Sequence, residues 1–213
     1  MRPHCPICLR PLTGCICRWV TPVEHTVDVL ILQHPQEVAQ AKGSARLLHL
    51  CLPHSRMVVG EVFDETALRA LLDGPRQSVL LYPDTPQGSA LGLPPPPPLA
   101  PADLSDPARL RLVVLDGTWR KSRKMLYCNP LLQRLPRLPL QGLPVSHYRI
   151  RKAHRADQLS TLEATCAALT HLERDPERFA PLLAAFDGFV AQQLELRTRD
   201  NAEPVPRTPR IPA

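Results

Sequence analysis

Short continuous apolar runs alternate along this chain with segments whose apolar residues recur at helical spacing. The runs at 27–33 (VDVLILQ), 56–61 (RMVVGE), 78–82 (SVLLY), 110–115 (LRLVVL) and 143–150 read as five strands. They are brief, rich in Val and Leu, and mostly lack polar alternation, which fits strands covered on both faces. Helical spacing appears at 36–50, where Val38, Ala41, Ala45 and Leu48 fall on one face. Further helices are predicted at 65–72, 119–127, 161–173 and 178–197. Asp73-Gly74-Pro75 stops the second of these. Ser160 followed by Glu163 is a capping-box signature for the helix from Thr161.

Strands alternating with helices predict an α/β fold: a mostly parallel sheet with helices on both faces. In such sheets ligands bind beyond the carboxyl ends of the strands. Those ends carry Gln33-His34-Pro35, Leu81-Tyr82-Pro83 and Asp116-Gly117-Thr118-Trp119. Taken singly, the first two read as turns. Five consecutive prolines at 94–98 predict an exposed polyproline II-like loop. The organisation expected is a cysteine knuckle at 1–22, an α/β domain at 23–199 and a disordered proline-rich tail at 200–213.

Composition narrows the class. At 213 residues and 44% hydrophobic content the chain can bury one ordinary core. It has no apolar run long enough for a transmembrane helix and no apolar signal core near its start, so a cytoplasmic protein away from membranes is expected. The net charge of +6 is unevenly spread. Residues 117–156 hold ten Lys or Arg and no Asp or Glu, a one-sign block that calls for an anionic partner.

Seven cysteines, an odd number, argue against a disulfide framework, and four of them crowd into Cys5-x-x-Cys8-x6-Cys15-x-Cys17. Two close thiolate pairs with a turn between them suit a closed tetrahedral zinc site of structural type. A redox Cys-x-x-Cys pair and an iron–sulfur cluster are the weaker readings.

Two further segments carry chemistry. In LVVLDGTWRKSRKML a strand delivers Asp116 and Thr118, and Trp119 opens a helix bearing Arg120, Lys121, Arg123 and Lys124. Asp116 can bind a cationic group or act as a base, and a helix start offers N–H groups to an anion. The bland alternative is that Asp116 and Thr118 cap the helix and Trp119 is core. In SHYRIRKAHRADQLSTLEA, Tyr148, Arg149, Arg151 and Lys152 interleave an aromatic ring with cations, a pattern suited to RNA, although spacing alone favours a solvated basic strand.

In chain order the knuckle, QHPxE at 33–37, LLYP at 80–83, Asp-Gly-Thr-Trp at 116–119 and SxYxIRK…LSTLEA at 146–164 resemble the DTW-domain family of tRNA-uridine aminocarboxypropyltransferases, over roughly residues 3–195. Ser122 and His154 depart mildly from the family's usual residues. The resemblance implies transfer of the 3-amino-3-carboxypropyl group of S-adenosylmethionine to N3 of a tRNA uridine, with release of methylthioadenosine. It also implies a SPOUT-like fold knotted in its C-terminal part, acting as a monomer. Tyr82, Pro83, Asp116, Thr118, Trp119, Ser160, Thr161 and Glu163 are then expected at the cofactor. Asp116 would bind its ammonium or help deprotonate N3. Arg120, Lys121, Arg123, Tyr148, Arg149, Arg151 and Lys152 would grip RNA. The competing readings are a SPOUT-type RNA methyltransferase and a non-catalytic zinc-containing RNA-binding module.

Overall fold

The computed structural model describes residues 3–84, 95–140 and 159–202. Five strands form one parallel sheet in the order β2-β1-β4-β3-β5: β1 (Asp28–Gln33), β2 (Ser55–Val59), β3 (Gln77–Leu81), β4 (Leu110–Asp116) and β5 (Arg137–Leu138). Six α-helices accompany it among the described residues: α1 (Ala45–Cys51), α2 (Glu65–Leu72), α3 (Trp119–Cys128), α4 (Pro130–Gln133), α5 (Thr161–Glu173) and α6 (Ala180–Ala202). None of them is long and apolar enough to cross a membrane.

The strands are apolar throughout because each face feeds a separate core. Val29, Ile31, Leu112 and Val114 point to one side and pack with α1, α5 and α6 through Leu48, Leu169 and Phe186. Leu30, Leu32, Val113 and Leu115 point to the other and pack with α2, α3 and α4 through Leu68, Met125 and Leu132. The chain therefore leaves β1 for α1 on one face and leaves β4 for α3 on the opposite face. Adjacent strands whose connections diverge in this way open a crevice at their carboxyl ends, the usual ligand position in open α/β sheets. Gln33 and Asp116 are register partners at that point.

Two sequence expectations change, and a third falls outside the described residues. The helix predicted at 36–50 begins only at Ala45; Pro35–Glu37 is a 3-10 turn and irregular backbone follows. Val38 and Ala41 are exposed, whereas Ala45 and Leu48 are buried, so the apolar face was real over its second half alone. The first half is held by polar side chains instead: His34 accepts from Gln36 N, and Glu37 is buried. The strand predicted at 143–150 lies outside the described residues, and the fifth strand is Arg137–Leu138, two residues between prolines. Helix α6 reaches Ala202, past the predicted boundary at 199; the remaining tail lies outside the described residues. Pro95–Pro98 carry no regular structure and are largely exposed; Pro94 lies outside the described residues.

Candidate active site

Asp116 ends β4 buried, at 5% exposure, and its carboxylate joins three segments. Gln33 Nε2 donates to Oδ2 over 2.9 Å, and Thr161 Oγ1 donates to Oδ1 over 2.7 Å. The Asp116 carbonyl accepts His34 N at 2.9 Å. The ends of β1 and β4 and the start of α5 thus meet on one side chain. Asp116 does not cap α3. That task falls to Thr118, whose hydroxyl accepts Lys121 N at 3.4 Å. Between them Gly117 carries no side chain for a reason: a Cβ there would lie 3.1 Å from Lys121 Cβ and 3.7 Å from His34 Cβ.

The α5 start is built as its sequence implies. Ser160 Oγ accepts Glu163 N at 3.2 Å, and Glu163 Oε2 accepts Ser160 N at 2.8 Å. Leu162 N donates to Ser44 Oγ over 3.3 Å, which fastens this helix start to α1. Much of the donor capacity of the first turn is therefore satisfied within the fold.

Trp119 is half-exposed, not core. Its ring lies nearly parallel to that of Tyr82, with 5.2 Å between centroids and 13° between planes. Tyr82, which follows β3, is buried, and its hydroxyl makes no hydrogen bond of normal geometry among the described residues. Burial raises its pKa. The buried Arg137 of β5 sits over the same ring, Cζ 5.4 Å from the centroid.

The motif read as a turn at Gln33-His34-Pro35 does more than turn. His34 Nε2 donates to Glu61 over 2.8 Å, and Glu61 also binds Lys124 at 2.9 Å. Glu37 binds Lys121 at 2.7 Å. QHPxE and the basic helix are thus clamped together by two acid–base contacts. Lys121 belongs to this clamp, and among the residues expected to grip RNA, Arg120 is exposed and Arg123 half-buried. Tyr148, Arg149, Arg151 and Lys152 lie outside the described residues.

A model of the DTW domain matches residues 2–194. The chain belongs to the DTW-domain family. It is 32% identical over 202 residues to a Drosophila melanogaster protein named tRNA-uridine aminocarboxypropyltransferase 2, covering 91% of this chain and 76% of that one. A Mus musculus protein of the same name is 30% identical over 91% of this chain and 64% of its own length. A Macaca fascicularis protein so named is 28% identical with the same coverage. The chain spans just under two thirds of the two mammalian relatives. No solved structure matches it.

In this DTW domain Cys5, Cys8, Cys15 and Cys17 converge, with all four sulfurs within 4.8 Å of one another and no disulfide among them. Cys5 and Cys17 sulfurs are 3.6 Å apart, and Cys8 and Cys15 sulfurs 3.8 Å. A tetrahedron with Zn–S bonds of 2.3 Å has edges of about 3.8 Å, so the cluster fits a zinc ion. N–H groups of Cys8 and Ile7 lower the Cys5 thiol to about 6, whereas burial and neighbouring thiols raise Cys17 to about 12. The knuckle is fastened to the rest of the DTW domain. Trp19 Nε1 donates to Gln192 Oε1 over 2.5 Å, Gln192 Nε2 donates to the Cys15 carbonyl over 3.0 Å, and the Trp19 ring packs on Gly188. Arg10 donates to the carbonyls of Ala41 and Gly43.

At the opposite, amino edge of the sheet a cavity of about 500 Å³ is lined by Pro22, His25, Thr26 and Arg178 among others. Two of its lining groups are engaged by Glu173, which binds Arg178 and accepts Thr26 N. The residues joined at the carboxyl edge, not this cavity, form the candidate site.

Proposed function

We propose that this chain transfers the 3-amino-3-carboxypropyl group of S-adenosylmethionine to N3 of a tRNA uridine, releasing methylthioadenosine. The observation that carries the reading is the match, along 91% of the chain, to proteins named tRNA-uridine aminocarboxypropyltransferase 2. The geometry supports it independently: three motif segments meet at the crevice of a parallel sheet, where such folds take small ligands.

The sulfonium cofactor supplies an electrophilic carbon whose bond to sulfur breaks as N3 bonds to it, the electron pair passing to sulfur and the N3 proton to solvent. The enzyme's task is orientation, because the methyl carbon on the same sulfur is less hindered. In this reading Asp116 holds the ammonium of the amino-acid arm as a fixed acceptor at the crevice. Gln33 and Thr161 fix its direction. Ser160, Thr161 and Glu163 form one wall of the seat, Thr118 another, and Tyr82 and Pro83 border it. A structural zinc in the four-cysteine knuckle completes the assignment. The C-terminal knot expected of a SPOUT-like fold belongs to the same proposal; residues 141–158 lie outside the described residues. Monomeric, cytoplasmic action belongs to the same proposal.

The test is nucleoside mass spectrometry of tRNA incubated with the purified chain and S-adenosylmethionine. An increment of C4H7NO2 on uridine is expected. An increment of CH2 would make the chain a methyltransferase. No product, together with no heat of cofactor binding, would leave an RNA-binding module.

A further inference from the structure

The half-exposed Trp119 is costly to display. Trp119 leaves half of a large, mostly apolar ring open to solvent. Here its ring is held almost parallel to buried Tyr82, which fixes the indole plane in advance of any ligand. With Tyr82 under one side, the exposed half of Trp119 is a flat apolar surface facing outward.

The charges beside it are selective. Lys121 is engaged by Glu37 and Lys124 by Glu61. Among the described residues Arg120 and Arg123 have no acidic partner. Arg123 lies one helical turn beyond Trp119, on the same face. An outward ring with a guanidinium one turn along the same helix face is an arrangement that binds a nucleobase by stacking and its adjoining phosphate by charge. An enclosed small molecule suits the platform poorly. The crevice a few residues away is the buried place, with Asp116 at 5% and Ser160 at 2% exposure.

We propose that the open face of Trp119 is the stacking seat of the acceptor pyrimidine, with Arg123 on the phosphate beside it, and that the cofactor does not use this indole. The inference rests on the transferase reading above and moves Trp119, which the family resemblance assigns to the cofactor, to the RNA side of the reaction. The base would be presented beside Asp116, three residues away along the chain.

The test compares the full-length wild type with Trp119→Ala and Trp119→Phe. Trp119→Ala should lower tRNA affinity and kcat/KM for tRNA about ten- to a hundredfold, and Trp119→Phe should stay within about threefold of wild type. Calorimetry should give one S-adenosylmethionine affinity for all three proteins. Oligouridylate should quench wild-type tryptophan emission and leave that of Trp119→Phe unquenched, a comparison that stands even if Trp119→Ala does not fold. Loss of cofactor affinity with tRNA binding intact would overturn the proposal, as would unquenched wild-type emission or an alanine variant equal to wild type. Failure of the transferase reading would look different: the wild type itself would make no aminocarboxypropyl product.

Discussion

Thr161 Oγ1 donates to Asp116 Oδ1 across 45 positions of chain and 2.7 Å of space. A strand's last residue and a helix's first residue are thereby locked at a single angle. Because Gln33 takes the other oxygen from the neighbouring strand, the carboxylate is aimed before any substrate arrives. A group held by two donors in this way serves better as a fixed acceptor than as a proton carrier, since a proton on either oxygen would compete with the donor already bound there.

Asp116→Asn should therefore lower cofactor affinity at least about tenfold and destabilise the fold by about 1–3 kcal/mol, because the amide nitrogen cannot accept from the donor that faces it. Thr161→Val should cost about 1 kcal/mol and shift KM for the cofactor, and Thr161→Ser should restore both. If Asp116→Asn instead kept its KM and abolished the acid limb of the kcat profile, Asp116 would be the base for N3 and the positioning role would be wrong.

Glu61 gives the fold a defined acid sensitivity. Lys124 first, then His34, holds its carboxyl below the ordinary carboxylate range. Its folded pKa is depressed, so its contribution is present above the unfolded value near 4.3 and is lost as pH falls through the lower folded value. Urea midpoints measured from neutral pH down to about 3 should fall less steeply for Glu61→Gln than for wild type. Parallel curves would show that the clamp contributes nothing to acid stability.

The elements legible in the sequence were those set by local pattern. The apolar run ending at Asp116 and the Ser160–Glu163 capping box need nothing distant to declare themselves, and the helix Thr161–Glu173 begins and ends where the pattern places it. What the sequence hid is long-range. Nothing in Gln33-His34-Pro35 says that the glutamine will meet an aspartate 83 positions on, or that Glu37 will bury itself to reach Lys121. The false first half of the helix before Ala45 has the same cause, since tertiary polar contacts outweighed a helical spacing worth tenths of a kcal/mol per residue. Arg137–Leu138 escaped notice because a two-residue strand flanked by prolines carries no periodicity.

Gly188 shows one magnitude outweighing another. Alanine in a helix interior gains about 1 kcal/mol over glycine. A Cβ at 188 would lie 2.2 Å from the Trp19 ring, too close to be absorbed without moving the indole off Gln192. Overpacking of this kind costs about 1–3 kcal/mol and the Trp19–Gln192 hydrogen bond about another 1. Gly188→Ala should thus be destabilised overall, with red-shifted tryptophan emission, and Trp19→Leu in the same chain should abolish the penalty. A Gly188→Ala chain that melts above wild type would mean the knuckle does not bear on α6 as described.

The four cysteines should bind one metal ion per chain, and losing it should loosen more than the knuckle. Metal binding needs four thiolates, whereas the bare sulfurs titrate apart, Cys5 near 6 and Cys17 near 12. The ion must therefore displace protons, and its affinity falls as pH falls. Zinc should be retained at neutral pH and released on acidification or by a chelator, with Cys17→Ser releasing it at higher pH than wild type. Because Gln192 holds both Trp19 and the Cys15 carbonyl, and Arg10 ties the knuckle to the loop before Ser44, release should expose Trp19 and free the loop that anchors Leu162 N. Tryptophan emission and hydrogen exchange at the start of α5 should then change together with zinc content. If zinc leaves and the α5 amides stay as protected as before, the knuckle is an independent appendage and the route from Arg10 through Ser44 carries nothing.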